Sequence, residues 1–265
     1  MPPMPIAATV AGSDSGGGAG VQADLNSFAA AGVYGVSVLV ALTAQNTRGV
    51  EAVHAVPPDF VVAQFAALDR DLRPAAVKTG MLLSTELIQV VAEALAKLDW
   101  GPLVVDPVMV AKSGDHLLRA EAVGALRDRL LPLAEVLTPN WPEAATLAGL
   151  EVVDEGTAAA AGRRLLEMGP RWVLVKGGHS PGPPNDLLIG RGQVVQLRGT
   201  RVPGRDTHVT GCTFSAALTA HLARGRSVPE AAAEAKRYLQ AALEQAPKLG
   251  AGHGPLQHLP RGWPE

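Results

Sequence analysis

Ile6-Ala-Ala-Thr-Val-Ala11 runs into Gly12-Ser-Asp-Ser-Gly-Gly-Gly-Ala-Gly20 and then into Val21 to Ala31, where apolar residues recur every three or four positions. A short run without polar alternation predicts a strand buried on both faces, and the 3.6-residue period after the glycines predicts a helix lying against it. The same unit recurs outward along the chain. Val36 to Leu42, Ala76 to Thr79, Leu103 to Val105, Val136 to Thr138 and Trp172 to Lys176 read as further strands. Asp59 to Asp71, Glu86 to Leu98, Glu121 to Leu131 and Thr157 to Met168 read as the helices between them. Strands alternating with helices predict an α/β fold with a mostly parallel central sheet flanked by helices. Beyond Lys176 the pattern changes to a loop from Gly178 to Asn185, a hairpin of Leu187 to Ile189 with Val194 to Leu197, helices over Gly211 to Ala223 and Val228 to Ala246, and a closing loop from Gly250 to Pro255. With no repeat and no linker composition, residues 1 to 265 are read as one domain.

Composition narrows the function. Of 265 residues 47% are hydrophobic, enough for a sizeable core, and 23 Lys plus Arg against 25 Asp plus Glu leave a formal charge of -2 without a basic block. Nucleic acid is therefore not an expected partner. The first basic residue is Arg48 and no run of about 18 apolar residues occurs, so neither export nor a membrane span is expected, and a cytoplasmic location is. Cys212 is the single cysteine, which excludes an internal disulfide, and the seven histidines have no zinc-site spacing.

Three stretches could carry chemistry. The glycine-rich loop would bring backbone N–H groups to a ligand at a helix start. Gly18-Ala-Gly20-Val-Gln-Ala23 matches the short dinucleotide pattern, but six residues separate it from Ala11 and no acid lies in Val38 to Ala44, so a nicotinamide site is not predicted. There is no phosphate-loop lysine motif, and Asp14 stands where a nucleophile elbow needs serine. In the second stretch, Asp206-Thr-His-Val-Thr-Gly-Cys-Thr-Phe-Ser-Ala217, a loop enters an apolar helix; the N–H groups of Thr210 to Thr213 would face an anion, and the same field would lower the Cys212 thiol pKa. The third is Asn140-Trp-Pro-Glu143, past a strand's end, where Asp106 and Lys176 would also fall. A carboxylate and an amide there could order hydrated magnesium, although Asn-x-x-Glu is equally the signature of a helix capping box.

Taken together and in this order, Ala11-Gly-Ser-Asp with Gly17 to Asp24, Thr43-Ala-Gln-Asn-Thr47, Lys78-Thr-Gly-Met81, Asp106-Pro-Val-Met109 with Lys112-Ser-Gly114, Thr138-Pro-Asn with Glu143, Lys176-Gly-Gly-His179 and Thr207 to Cys212 carry a resemblance. From about Ile6 to Leu259 the chain resembles the ribokinase-like superfamily, a three-layer fold, and within it the hydroxymethylpyrimidine/phosphomethylpyrimidine kinases of thiamine biosynthesis. The resemblance implies an ATP-dependent phosphotransferase that phosphorylates 4-amino-5-hydroxymethyl-2-methylpyrimidine twice, with ATP and Mg2+ bound; a homo-oligomer, in the first instance a dimer, is the expected assembly. It places Asp24 and Gln45 on the aminopyrimidine edge, with Gly12, Met81 and Val108 lining the ring. Thr210, Gly211 and Cys212 would surround the transferring phosphoryl group, with Cys212 also the candidate base. Lys176, Asp106, Asn140 and Glu143 would serve the nucleotide phosphates, Glu143 and Asp106 reaching the metal through water.

The chain departs from this family at Val209, where the usual pattern has glycine before Thr-Gly-Cys; valine disfavours positive φ, so the loop is expected to bend differently there. A pyridoxal or pyridoxine kinase is the nearest rival and a non-catalytic pyrimidine sensor the other. The Asp24 and Gln45 pair favours the pyrimidine over vitamin B6, and the presence of Cys212, Lys176, Asn140 and Glu143 argues against a sensor.

Overall fold

The computed structural model describes residues 3–110, 121–202 and 210–263. Its elements in chain order are β1 (Ile6–Asp14), α1 (Gly20–Ala30), β2 (Tyr34–Asn46), β3 (Gly49–Ala55), α2 (Pro58–Asp71), β4 (Ala76–Thr79), α3 (Thr85–Lys97), β5 (Leu103–Val105), α4 (Ala122–Ala125), β6 (Val136–Leu137), α5 (Trp141–Ala148), α6 (Glu155–Leu166), β7 (Trp172–Val175), β8 (Asp186–Gly190), β9 (Gln193–Leu197), α7 (Thr210–Ala223) and α8 (Val228–Glu244). The nine strands form one sheet in the order β3-β2-β1-β4-β5-β6-β7-β8-β9. The six strands from β2 to β7 across its centre run parallel, while β3 at one edge and β8 and β9 at the other are antiparallel additions. This is the three-layer α/β architecture expected.

Strand residues separate by parity, as a two-residue period requires. Ala8, Val10, Val77, Val105, Leu137 and Val173 pack on the side covered by α2, α3, α5 and α6. Ala7, Ala76, Val104, Val136 and Leu174 pack under α1, α7 and α8. From Thr213 to Ala223 every residue of α7 is buried, so this helix is enclosed around its whole circumference, and its start lies over the strand ends.

Some boundaries differ from expectation. β1 continues to Asp14 and β2 to Asn46, past a register shift at Ala11/Gly12. β3 was not anticipated: its residues are exposed or half-buried throughout, leaving no apolar periodicity to read. Asn140-x-x-Glu143 opens a real helix, α5, absent from the expected covering set. The helix expected over Glu121 to Leu131 is one turn of α4, then a π turn at Leu126–Leu130 and a 3-10 turn at Leu131–Leu133, where Pro132 cannot donate the next bond.

Candidate active site

β1 leads one way to β2 and has β4 on its other side, so the chain reverses its winding beside β1. Crevices at the carboxyl ends of strands open at such a switch. A cavity of about 670 Å3 lies there, lined by the ends of β1, β2, β4 and β5, the start of α5, Lys176 and the start of α7. It collects every predicted site residue except Asp24: Gly12, Gln45, Met81, Val108, Asp106, Asn140, Glu143, Lys176, Thr210, Gly211 and Cys212. Val209, Thr207, His208 and Lys112 to Gly114 lie outside the described residues.

At one end, Lys176 follows β7 and is held by its backbone, which donates to Pro139 O at 2.8 Å and bridges to Asn140. Its Nζ donates to Asp106 Oδ1 at 2.9 Å and lies 3.9 Å from Glu143 Oε2. Ser215 of α7 donates to Asp106 Oδ2 at 3.1 Å. Burial works to raise the Asp106 carboxyl, but Lys176 and Lys78 outweigh it and hold it below the ordinary range. Burial likewise opposes the charge on Lys176, and the carboxylates of Asp106 and Glu143 overcome it and raise its pKa. Glu143 is the exception: burial, reinforced by Asp106, wins over Lys176 and pushes it up to about 7. One Glu143 oxygen accepts from Asn140 N–H at 2.8 Å while Asn140 Oδ1 accepts from Glu143 N–H at 2.9 Å. The capping box is therefore present, and it places its own carboxylate inside the cavity.

The other end corrects three expectations. Asp24 does not face the cavity. It is completely buried in α1, its Oδ2 accepting from Thr9 Oγ1 at 2.6 Å and its Oδ1 bonded to Lys78 Nζ, so neither oxygen is open to a pyrimidine. The glycine-rich loop does not present open amides either. Asp14 accepts from Gly16 N–H at 2.8 Å, Gly18 N–H at 3.0 Å and Ala19 N–H at 2.8 Å, so the anion at that loop is the chain's own carboxylate. The thiol pKa of Cys212 is raised, to about 11, not lowered. Burial is the main cause, and Asp106 and Asp24 add to it, against Lys78 and a hydrogen bond that the sulfur accepts from Gly20 N–H. Gly20 has φ +55° and a Cβ there would strike Gly12 O, so only glycine brings α1 this close.

Gln45, Met81, Val108 and Gly12 do share one region. Gln45 Oε1 accepts from Thr43 Oγ1 at 3.3 Å, and a Cβ on Gly12 would come within 2.5 Å of Met81 Cε, so the absent side chain makes room for the methionine. Two cavity residues had been given no role. Asp14 organises the loop, and an aspartate followed by glycines is itself a readable turn signal. Lys78 sits in β4 at 0% exposure, and a lysine inside an apolar strand signals a buried partner.

The cavity thus sets a lysine and two carboxylates beside the start of α7, where Gly211 lies next to Lys176 and Asp106. Such an arrangement can align polyphosphate against an acceptor and stabilise charge in transfer. Known proteins agree with that chemistry. The model of the phosphomethylpyrimidine kinase family matches residues 14–257. A hydroxymethylpyrimidine/phosphomethylpyrimidine kinase of Streptomyces coelicolor is 49% identical over 264 residues, covering 99% of this chain and 97% of that one. A phosphomethylpyrimidine kinase structure from Clostridium difficile superimposes with TM-score 0.81 at 41% identity, covering 89% of this chain and 98% of that one. A pyridoxal kinase of Staphylococcus aureus in complex with ADP superimposes with TM-score 0.92 at 33% identity, covering 99% and 96%.

Proposed function

The chain belongs to the phosphomethylpyrimidine kinase family, and from that premise we propose that its cavity is where 4-amino-5-hydroxymethyl-2-methylpyrimidine is phosphorylated by ATP, first to the monophosphate and then to the diphosphate. The protein is a kinase of thiamine biosynthesis with a ribokinase-like fold. The observation that carries the assignment of roles is the convergence of Lys176, Asp106, Glu143 and the Gly211–Cys212 turn in one cavity at the switch point.

In this reading Lys176 and the backbone N–H groups of Thr210, Gly211 and Cys212 bind the transferring phosphoryl group, and Asn140 lines the nucleotide side. The residues suit Mg2+. Glu143 is a buried carboxylate short of positive charge, Asp106 lies across Lys176 from it, and both reach the same space. Two carboxylates suit an ion that keeps most of its waters and shares substrate phosphates. Magnesium bound there would neutralise phosphate charge, while Lys176 orients Asp106 and the Asn140 N–H orients Glu143. Gln45 offers an amide to the pyrimidine edge, with Gly12, Met81 and Val108 forming its apolar seat. Cys212 is a protonated thiol at neutral pH, so it shapes the anion hole, and proton removal from the alcohol is not assigned to it.

A homodimer and a cytoplasmic location complete the proposal; light scattering tests the first. No helix among the described residues is long and apolar enough to cross a membrane. Pyridoxal is the alternative substrate favoured by the similarity to pyridoxal kinases. ATP consumption measured side by side with the pyrimidine alcohol and with pyridoxal decides between them. A kcat/KM preference of about tenfold or more for the pyrimidine is expected, about the worth of one hydrogen bond to the amide of Gln45. A preference for pyridoxal of that size would replace this reading.

A further inference from the structure

Lys78 lies in β4 directly beside Thr9 of β1 and Val104 of β5. Its parity is that of Ala76, so it rises from the sheet into the layer occupied by α1 and α7, where its neighbours in the core are apolar. Both it and its partner Asp24 are at 0% exposure. Removing two charges from water carries a penalty that a well-packed apolar pair would avoid, so the pair is poorly explained as a device for stability alone. Its placement supplies another explanation. Lys78 reaches the cavity wall with Nζ 3.5 Å from Cys212 O, in the turn whose amides the proposed function assigns to the phosphoryl group.

The charges around that turn come from four elements. Asp24 stands on α1, Lys78 on β4, Asp106 after β5 and Lys176 after β7, and the sulfur also takes a hydrogen bond from Gly20 at the start of α1. Lys176 is already shared by Asp106 and Glu143. Without Lys78, an arriving phosphate would meet carboxylates not balanced by cations. We propose that Lys78 is a positioning residue of the phosphoryl-transfer site, a fixed buried cation that keeps the Gly211–Cys212 turn receptive to an anion, and that Asp24 and Thr9 hold it there. Asp24 acts on the substrate only through Lys78. The proposal rests on the reading of the cavity as a phosphotransfer site, and its test is independent of turnover.

Cys212 is the only cysteine in the chain, so its alkylation reports the potential at this turn. The full-length protein without substrate is treated with iodoacetamide at pH 9, where rate follows the thiolate fraction. A charge a few Å away shifts such an equilibrium by roughly tenfold or more. Asp24→Asn removes a carboxylate and frees Lys78 toward the sulfur, so alkylation should accelerate about tenfold. Lys78→Met should slow it by about as much, and Lys78→Arg should stay within about threefold of the parent. A pair that merely braces the fold predicts otherwise: both substitutions would loosen the start of α7, expose the thiol and accelerate alkylation together. Acceleration by Lys78→Met, or no change with Asp24→Asn, overturns the proposal; if Lys78→Met does not fold, Lys78→Gln, which is neutral but can still hydrogen-bond Asp24, takes its place with the same slowing expected and the same acceleration overturning. Loss of pyrimidine kinase activity in the parent protein would sink the functional reading and leave the alkylation result standing.

Discussion

Two of the lysines lining the cavity, Lys78 and Lys176, differ in how they are held. Lys78 and Asp24 are sealed at 0% exposure, with Thr9 closing the second carboxylate oxygen. Lys176 retains 14% of its side-chain exposure, is bonded to Asp106 and sits 3.9 Å from Glu143, itself raised to about 7. A sealed pair cannot trade partners, so its charge acts as a fixed field. An open triad can release a lysine or a carboxylate to an incoming phosphate or cation. In the proposed reading, fixed charge behind the anion hole and exchangeable charge beside it suit a reaction in which one polyphosphate is replaced every turnover while the anion hole stays the same.

The largest effect should come from the open end. Lys176→Met removes the exchangeable cation and leaves Asp106 and Glu143 facing the phosphates, so kcat/KM for ATP should fall by about 10³-fold or more, with most of the loss absent from pyrimidine binding. Steady-state kinetics with each substrate varied in turn checks this; an equal loss for Lys78→Met in the KM of ATP would erase the distinction between the two ends. At the sealed end the loss should appear as stability. Asp24→Asn leaves a buried ammonium without its counter-charge, at a cost of about 3 to 5 kcal/mol in urea unfolding. Pyrimidine affinity by calorimetry should stay close to that of the parent. A folded Asp24→Asn protein that no longer binds pyrimidine would return this carboxylate to the substrate.

A smaller effect concerns what braces the sealed end from behind. His258 Nε2 shares a hydrogen bond of 3.1 Å with Thr213 Oγ1, next to Cys212, and burial depresses its pKa to about 4. A histidine depressed on folding binds its proton more readily in the unfolded chain, so its contribution is complete above about pH 6.5 and is lost as pH falls toward 4. The loss reaches about 3 kcal/mol, and His258→Gln should flatten the stability profile over that window. An unchanged profile would mean that another group, such as the buried His221, also depressed to about 4, sets the acid limit. The smallest effect is steric. Gly12→Ala would press on Met81 Cε, so the KM for pyrimidine should rise a few-fold, about 1 kcal/mol, with ATP unaffected.

The same contrast explains what was legible in the sequence. Residues of the open end follow strand termini, and apolar runs bounded by Asp, Asn or Lys locate such termini directly, so Asp106, Asn140 and Lys176 were readable one by one. The sealed pair joins positions 54 residues apart, and helical periodicity says nothing about which strand Asp24 meets. The readable sign was Lys78 itself, a charge inside Ala76-Val-Lys-Thr79, where a strand buried on both faces cannot leave it unpaired. Cys212 was misjudged because the helix-terminus rule describes the field and omits burial, which is the larger influence here. The amides of the glycine-rich loop were misassigned for a local reason, Asp14 lying close enough in sequence to occupy them. β3 was missed because an exposed edge strand has no apolar face to announce it.

The central claim is that one cavity performs two successive transfers onto one pyrimidine. The measurement that tests it most directly is the mass of the products formed by the purified protein from 4-amino-5-hydroxymethyl-2-methylpyrimidine and excess MgATP over time. The account predicts a species heavier by one phosphate, followed by a species heavier by two, with both disappearing together in Lys176→Met. Accumulation of the monophosphate alone, or a second phosphate that persists when the first is abolished and the monophosphate is supplied to Lys176→Met, would contradict it.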